Sequence, residues 1–271
     1  MTREEAEQSL RDAAAFPEGR FPLFEAALAC AAHDNPAREV EPVRALAHQI
    51  AERLADRLRS ESAEEAVAET LSGDFRFTGD VLTPDDPANA DLIAVAERRR
   101  GLSAVLGVFY LDAARRCGVP LDGVDFPGHF LLRIDSDQGP LALDPFAGGR
   151  VVLPSELSRR ALRAGLTPAV AEQLELLMAP VDDRAVLIRL QNVIFARAQR
   201  AGDFPRAERA ALRRALLDPS DHRAWIDVAA AREGQGALAG ALEALGRAQQ
   251  LDGGAAVAAM AARERVRLKL N

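Results

Sequence analysis

Apolar positions recur at spacings of three and four over the first seventy residues. Phe24, Ala27, Leu28 and Ala31 form one such stripe, and Val43, Leu46, Ile50, Leu54 and Leu58 another. This periodicity predicts helices across residues 3–71, broken at Pro17-Glu-Gly19, Asp34-Asn-Pro36 and Ser60-Glu-Ser62. The pattern then lapses. Ser72–Gly79 and Thr83–Asn89 are rich in Gly, Pro, Asp and Ser, as in a long surface loop. A helix is expected from about Ala90 to Arg100, capped by Asn89 and stopped by Gly101. The next, from Ser103 to Cys117, is apolar on most sides and belongs in the middle of a domain. Gly118-Val-Pro120 ends it.

Two strand-like runs follow, Gly128–Ile134 and Pro140–Asp144, separated by a turn centred near Asp137. Phe146–Arg150 reads as a further turn, leading to a short apolar run at Val151–Leu153. From Pro154 helices resume. After a short connection at Ala179–Asp183, Leu217-Asp218-Pro219 recurs as Leu251-Asp252-Gly253, a period of 34 residues, the length of a tetratricopeptide (TPR) repeat. Trp225, Val228, Ala229, Ala241, Leu245 and Ala248 fall where such repeats place packing residues. The expected class is therefore α+β: a mostly helical chain with a small antiparallel sheet, divided into residues 1–180 (helical 1–71, core 89–153) and a helical repeat region 183–271 with a surface for a protein or peptide partner.

Composition narrows the chemistry. The 271 residues carry a net charge of −7, so nucleic acid is not an expected partner. Arginine supplies nearly all the positive charge, and Lys269 is the only lysine. A catalytic lysine in the main body is excluded. Cys30 and Cys117, with four histidines in no ligand spacing, give no disulfide framework or zinc site. No cofactor motif is present. No apolar run is long enough for a membrane span, and the acidic first residues lack the pattern of a signal peptide, so the expected location is the cytoplasm.

Three residues form a candidate constellation. Ser103 opens the apolar helix, His129 begins the first strand, and Asp144 ends the second. A hairpin between them puts His129 and Asp144 within a residue or two of opposition, where a carboxylate can orient an imidazole. Ser103 is either a nucleophile at a helix start or that helix's N-cap. Cys117 lies fourteen residues further along the same helix, roughly 20 Å at 1.5 Å per residue, too far to replace it. Arg98, Arg99 and Arg100 form a basic run at a helix end. It serves either surface pairing or contact with an anion. Tyr110 and Trp225 read as packing residues, His33 and His48 as structural or surface histidines.

Glu97–Gly101, Tyr110–Val124, Phe126-Pro-Gly-His-Phe-Leu-Leu-Arg133 and Leu143-Asp-Pro-Phe-Ala-Gly-Gly-Arg150 together resemble the SirB-type transglutaminase-like family, as do Phe77-Thr-Gly79, Asp86–Asn89 and the TPR-like tail. The resemblance implies a transglutaminase- or papain-like core with a helical cap and a repeat tail. It implies no defined reaction. The cysteine nucleophile of true transglutaminases is missing from the helix start. Family members usually read Gly-x-Pro-x-Ser-Leu there, whereas this chain reads Gly101-Leu-Ser-Ala-Val-Leu106. Two functions follow. One is a degenerate, non-catalytic member acting as an interaction scaffold through its tail. The other is a hydrolase or acyl-transfer enzyme in which Ser103 or a water attacks, with His129 as base and Asp144 as orienter.

Overall fold

Turn and capping residues cut the N-terminal half close to the expected breaks. The computed structural model describes residues 1–17, 19–136, 139–251 and 256–269. Helix α1 (Arg3–Ala14) opens on a capping box in which Thr2 and Glu5 satisfy each other's backbone N–H groups. Helices α2 (Leu23–Asp34), α3 (Glu41–Arg57) and α4 (Ala63–Ala68) follow. The chain then winds into a π-turn, Glu69–Asp74, three residues beyond the expected helix end at Leu71.

The segment after it is largely exposed, as its composition suggests, but it is tied down at a few buried points. Strand β1 (Thr78–Gly79) pairs in parallel with β2 (Arg100–Gly101), and Phe77, Asp80 and Asn89 are buried. Asp80 accepts from the backbone N–H groups of Leu82 and Thr83 and from the Thr83 hydroxyl. Helix α5 (Leu92–Arg98) is capped by Asp91, whose side chain accepts from the Ala94 N–H. Asn89 does not cap it. Its amide donates to the Thr83 carbonyl and accepts from Arg98, which also binds Asp80 and Asp86. Asp80 and Asn89 can be buried in this polar segment because their polar groups are satisfied by it and by Arg98.

Helix α6 (Ser103–Arg116) is buried along nearly its whole length, with Tyr110 fully buried. Strands β3 (Leu121–Val124), β4 (Leu131–Ser136), β5 (Gly139–Asp144) and β6 (Arg150–Val152) form an antiparallel meander in chain order. The sequence pattern does not reveal β3, because Asp122 and Gly123 interrupt its two apolar ends. The first expected strand starts three residues late, at Leu131. The turn centred near Asp137 lies outside the described residues.

Helices α7 (Pro154–Arg163), α8 (Pro168–Ala171) and α9 (Leu174–Leu177) precede α10 (Asp183–Ala201). The connection before α10 is pinned, since the Val181 N–H donates to the Gly123 carbonyl at 2.9 Å. Then come α11 (Phe204–Leu217), α12 (His222–Gly234), α13 (Leu238–Leu251) and α14 (Ala256–Leu268). The starts of α11 and α13, and of α12 and α14, are each 34 residues apart. Asp252 and Gly253 of the sequence repeat lie outside the described residues. The fold is α+β, mostly helical with a small antiparallel sheet.

Two compact units are distinguished: Met1–Phe21, Ala29–Ala37 and Leu187–Asn271 in one, Pro22–Leu28 and Arg38–Val186 in the other. The first has a core of small residues, Val228, Ala229, Ala241, Leu245 and Ala248 among them, with Trp225 packed against it. Trp225 is half-buried, and the Arg247 guanidinium sits 4.7 Å from its ring centroid. Full truncation of a buried aromatic costs about 3–5 kcal/mol. For this half-covered ring we expect Trp225→Ala to lose about 2 kcal/mol by urea unfolding. A loss under about 0.5 kcal/mol would mean the ring contributes no packing.

Candidate functional site

Ser103 is the first residue of α6, but it is not the N-cap. That position belongs to Leu102, and no side chain caps the helix. One turn further on, a side chain at Gly107 would overlap the Phe130 ring, so the helix lies directly against the segment carrying His129. Ser103, Gly107 and Tyr110 share one helical face by their spacing. The Ser103 hydroxyl makes no hydrogen bond to His129. Cys117 caps the opposite end of α6 and donates to the Ala51 carbonyl at 3.3 Å.

His129 lies in the turn before β4 rather than in the strand. The ladder pairs Leu132 with Leu143, so by extension Leu131 faces Asp144, and His129 comes two residues earlier. Asp144 is buried at the end of β5. Its Oδ1 accepts from the backbone N–H groups of Phe146 and Ala147, at 3.0 and 3.4 Å, fixing the turn Pro145–Ala147. Its Oδ2 accepts from Arg160 of α7 at 2.8 Å. Arg160 also donates to Glu156 at 2.7 Å, and Arg150 of β6 donates to the same carboxylate at 2.8 Å.

This chain of charges sets the protonation of the site. Hydrogen bonds from Arg150 and then Arg160 lower the Glu156 carboxyl to about 2. Burial opposes the charge on Arg160, yet its bonds to Asp144 and Glu156 leave the guanidinium more firmly protonated than usual. His129 is exposed as a residue, but its ring is partly screened from water. That desolvation lowers its pKa first and the Arg160 charge second; Asp144 and Glu156 oppose both without prevailing. The imidazole is therefore neutral at pH 7. We expect the His129 ring resonances to titrate below 6.5 by NMR. A midpoint above 7 would show Asp144 acting on the ring more strongly than Arg160 does.

Tyr110 completes the surroundings. Burial, with the nearby Asp144 charge, pushes its phenol well above the ordinary value. Its hydroxyl is buried without a hydrogen-bond partner. Sequence reading missed Arg160, Glu156 and Arg150. The i,i+4 pair Glu156–Arg160 is visible as a spacing, but only the return of α7 onto the hairpin reveals its target. Among the described residues no group of three or more His, Cys, Asp or Glu is arranged to hold a metal ion. None of the described helices is long and apolar enough to cross a membrane.

A family model described as the transglutaminase-like superfamily matches residues 39–192, which include Ser103, His129, Asp144 and Arg160. The chain belongs to the transglutaminase-like superfamily. A UPF0162 protein of Pseudomonas aeruginosa is 32% identical over 236 residues, covering 73% of this chain and 86% of that protein. A UPF0162 protein of Xylella fastidiosa (strain Temecula1) is 38% identical over 167 residues, 61% of this chain and 59% of its own length. The chain thus spans about three-fifths of the Xylella relatives it matches. F-box only protein 21 of Mus musculus is 36% identical over 69 residues, 26% of this chain and 11% of that protein. No solved structure matches the chain significantly. The transglutaminase-like match contains the whole arrangement around Asp144, whereas α11–α14 lie beyond it.

Proposed function

We propose that this transglutaminase-like protein is non-catalytic and acts as an interaction scaffold, its TPR-like helices α11–α14 receiving a protein or peptide partner. The observation that carries this reading is the bond between Asp144 and Arg160. In a working triad the carboxylate stabilises the imidazolium formed as the nucleophile loses its proton. Here an arginine neutralises that carboxylate and the histidine is pushed down, so the imidazolium is disfavoured. The residue at the helix start is a serine without a hydrogen bond to His129, and a serine needs that base to attack. The 34-residue spacing of helix starts and the alanine-rich packing of α11–α13 support the repeat reading.

A second reading, hydrolysis or acyl transfer by Ser103 or a water with His129 and Asp144, is favoured by one observation. A histidine neutral at pH 7 is in the form that accepts a proton. Peptide selection from a display library on the full chain, followed by photo-crosslinking, separates the two. The scaffold reading expects crosslinks within residues 204–268 and unchanged binding in Ser103→Ala. Crosslinks confined to residues 103–160, with peptide cleavage or acylation lost in Ser103→Ala, would favour the enzyme.

A further inference from the structure

Arg99 breaks two local rules at once. It ends α5 with φ 59° and ψ 20°, the left-handed conformation that a helix terminus normally gives to glycine. It is also a half-buried guanidinium that pairs with no carboxylate among the described residues. Two nearby arginines do pair: Arg98 with Asp80 and Asp86, Arg38 with Asp91 and Glu97. The Arg99 side chain is nonetheless held in place. The guanidinium lies 5.1 Å from the Phe77 ring centroid, and Nη1 donates to the Ala96 carbonyl. An arginine has five N–H donors in a rigid fork, so most of them remain for something else.

That something has a place to sit. Arg99 lines a cleft of about 450 Å³ whose apolar wall is made by Pro42, Val43, Leu46, Ile93 and Ala96. Arg38, Glu39 and Glu97 line it too, and Arg38 is already paired with Asp91 and Glu97. A volume in the range of roughly 300–1,000 Å³, mostly apolar with a few placed polar groups, is the usual build of a small-molecule site. Desolvation of a charge without a counter-charge is a cost that a bound anion offsets, and proteins keep such violations mainly where they are used.

We propose that this cleft binds an organic monocarboxylate, its carboxylate on the Arg99 fork and its apolar body against Val43, Leu46 and Ile93. The fork matches a carboxylate in two parallel hydrogen bonds. A single uncompensated positive charge calls for one negative charge. Glu39, which also lines the cleft, opposes a second, which disfavours a phosphate dianion. The site is independent of the scaffold reading, since it lies within residues 38–99 and needs neither α11–α14 nor His129.

Isothermal titration of the full chain with octanoate, octan-1-ol and octyl phosphate at pH 7.5 tests it. Octanoate should saturate one site and bind at least tenfold more tightly than octanol, with octyl phosphate no tighter than octanoate. Arg99→Gly, which suits the left-handed backbone, should abolish the preference for octanoate over octanol, and Glu39→Gln should tighten octanoate. Equal binding of acid and alcohol, no saturable heat at millimolar octanoate, or a preference surviving Arg99→Gly would overturn the proposal. Tighter binding of octyl phosphate would overturn the carboxylate assignment. Should Arg99→Gly lose the native circular dichroism spectrum, Pro42→Trp, which fills the cleft, takes its place; octanoate binding that survives it equally refutes the site.

Discussion

Replacing Arg213 by leucine should cost about 3–5 kcal/mol, the usual loss when one member of a buried charged network is removed. Arg213 is only 1% exposed. Its Nε donates to Gln191 at 2.7 Å, and its Nη1 donates to the Cys30 carbonyl at 3.4 Å and lies 3.4 Å from an Asp34 oxygen. Leucine would leave the Gln191 oxygen and the Cys30 carbonyl without this donor. Asp34 would be left to Arg206 and Arg209. The same cluster makes stability pH-dependent. Burial first, and Arg213 second, lower His33 to about 4 from 6.5, with Glu7 opposing them. The unfolded chain therefore takes up that proton before the folded one does. The associated stability is present above pH 6.5 and is lost as pH falls towards about 4. Urea unfolding at pH 7 and pH 5 reads both effects. A loss under about 1 kcal/mol in Arg213→Leu at pH 7 would show that the network does not hold this unit together.

Arg160→Met should cost about 3 kcal/mol, because it strands the Asp144 carboxylate in a buried position without its cation. The consequence is specific. Asp144→Asn keeps an oxygen to accept from the Phe146 and Ala147 N–H groups while removing the charge. The double variant Asp144→Asn/Arg160→Met should therefore be more stable than Arg160→Met alone, with a coupling of about 1–3 kcal/mol in the mutant cycle. Additive losses would mean that Asp144 does not depend on Arg160.

The fold class and the helix boundaries within the first 117 residues were legible because they depend on local signals. The apolar spacing in α3, the glycine-proline stop after α6 and the 34-residue period were enough. Asp91 and Asn89 show where local reading stops. Both are good capping residues two positions apart, and the choice between them is made by Arg98 and Thr83, which draw the Asn89 side chain inward. Strand β3 was hidden for a related reason. Gly123 is required where Phe130 and Val186 crowd the backbone, a tertiary contact that erases the strand pattern. At the candidate site, Ser103, His129 and Asp144 could be chosen from spacing and residue type. The partner that changes their chemistry, Arg160, lies sixteen positions beyond Asp144 on a surface-like amphipathic helix. Its own segment shows only the i,i+4 spacing from Glu156, not the return onto Asp144.

The most direct test of the non-catalytic account is the reactivity of Ser103 itself. The full chain, and its His129→Ala variant, would be incubated with a serine-directed acylating probe and the adduct located by intact-mass and peptide mass spectrometry. The account expects no stoichiometric labelling of Ser103 and no difference between the two proteins, since desolvation and the Arg160 charge outweigh what Asp144 and Glu156 offer an imidazolium at His129. Rapid stoichiometric labelling of Ser103 that disappears in His129→Ala would contradict it and establish a working nucleophile–base pair.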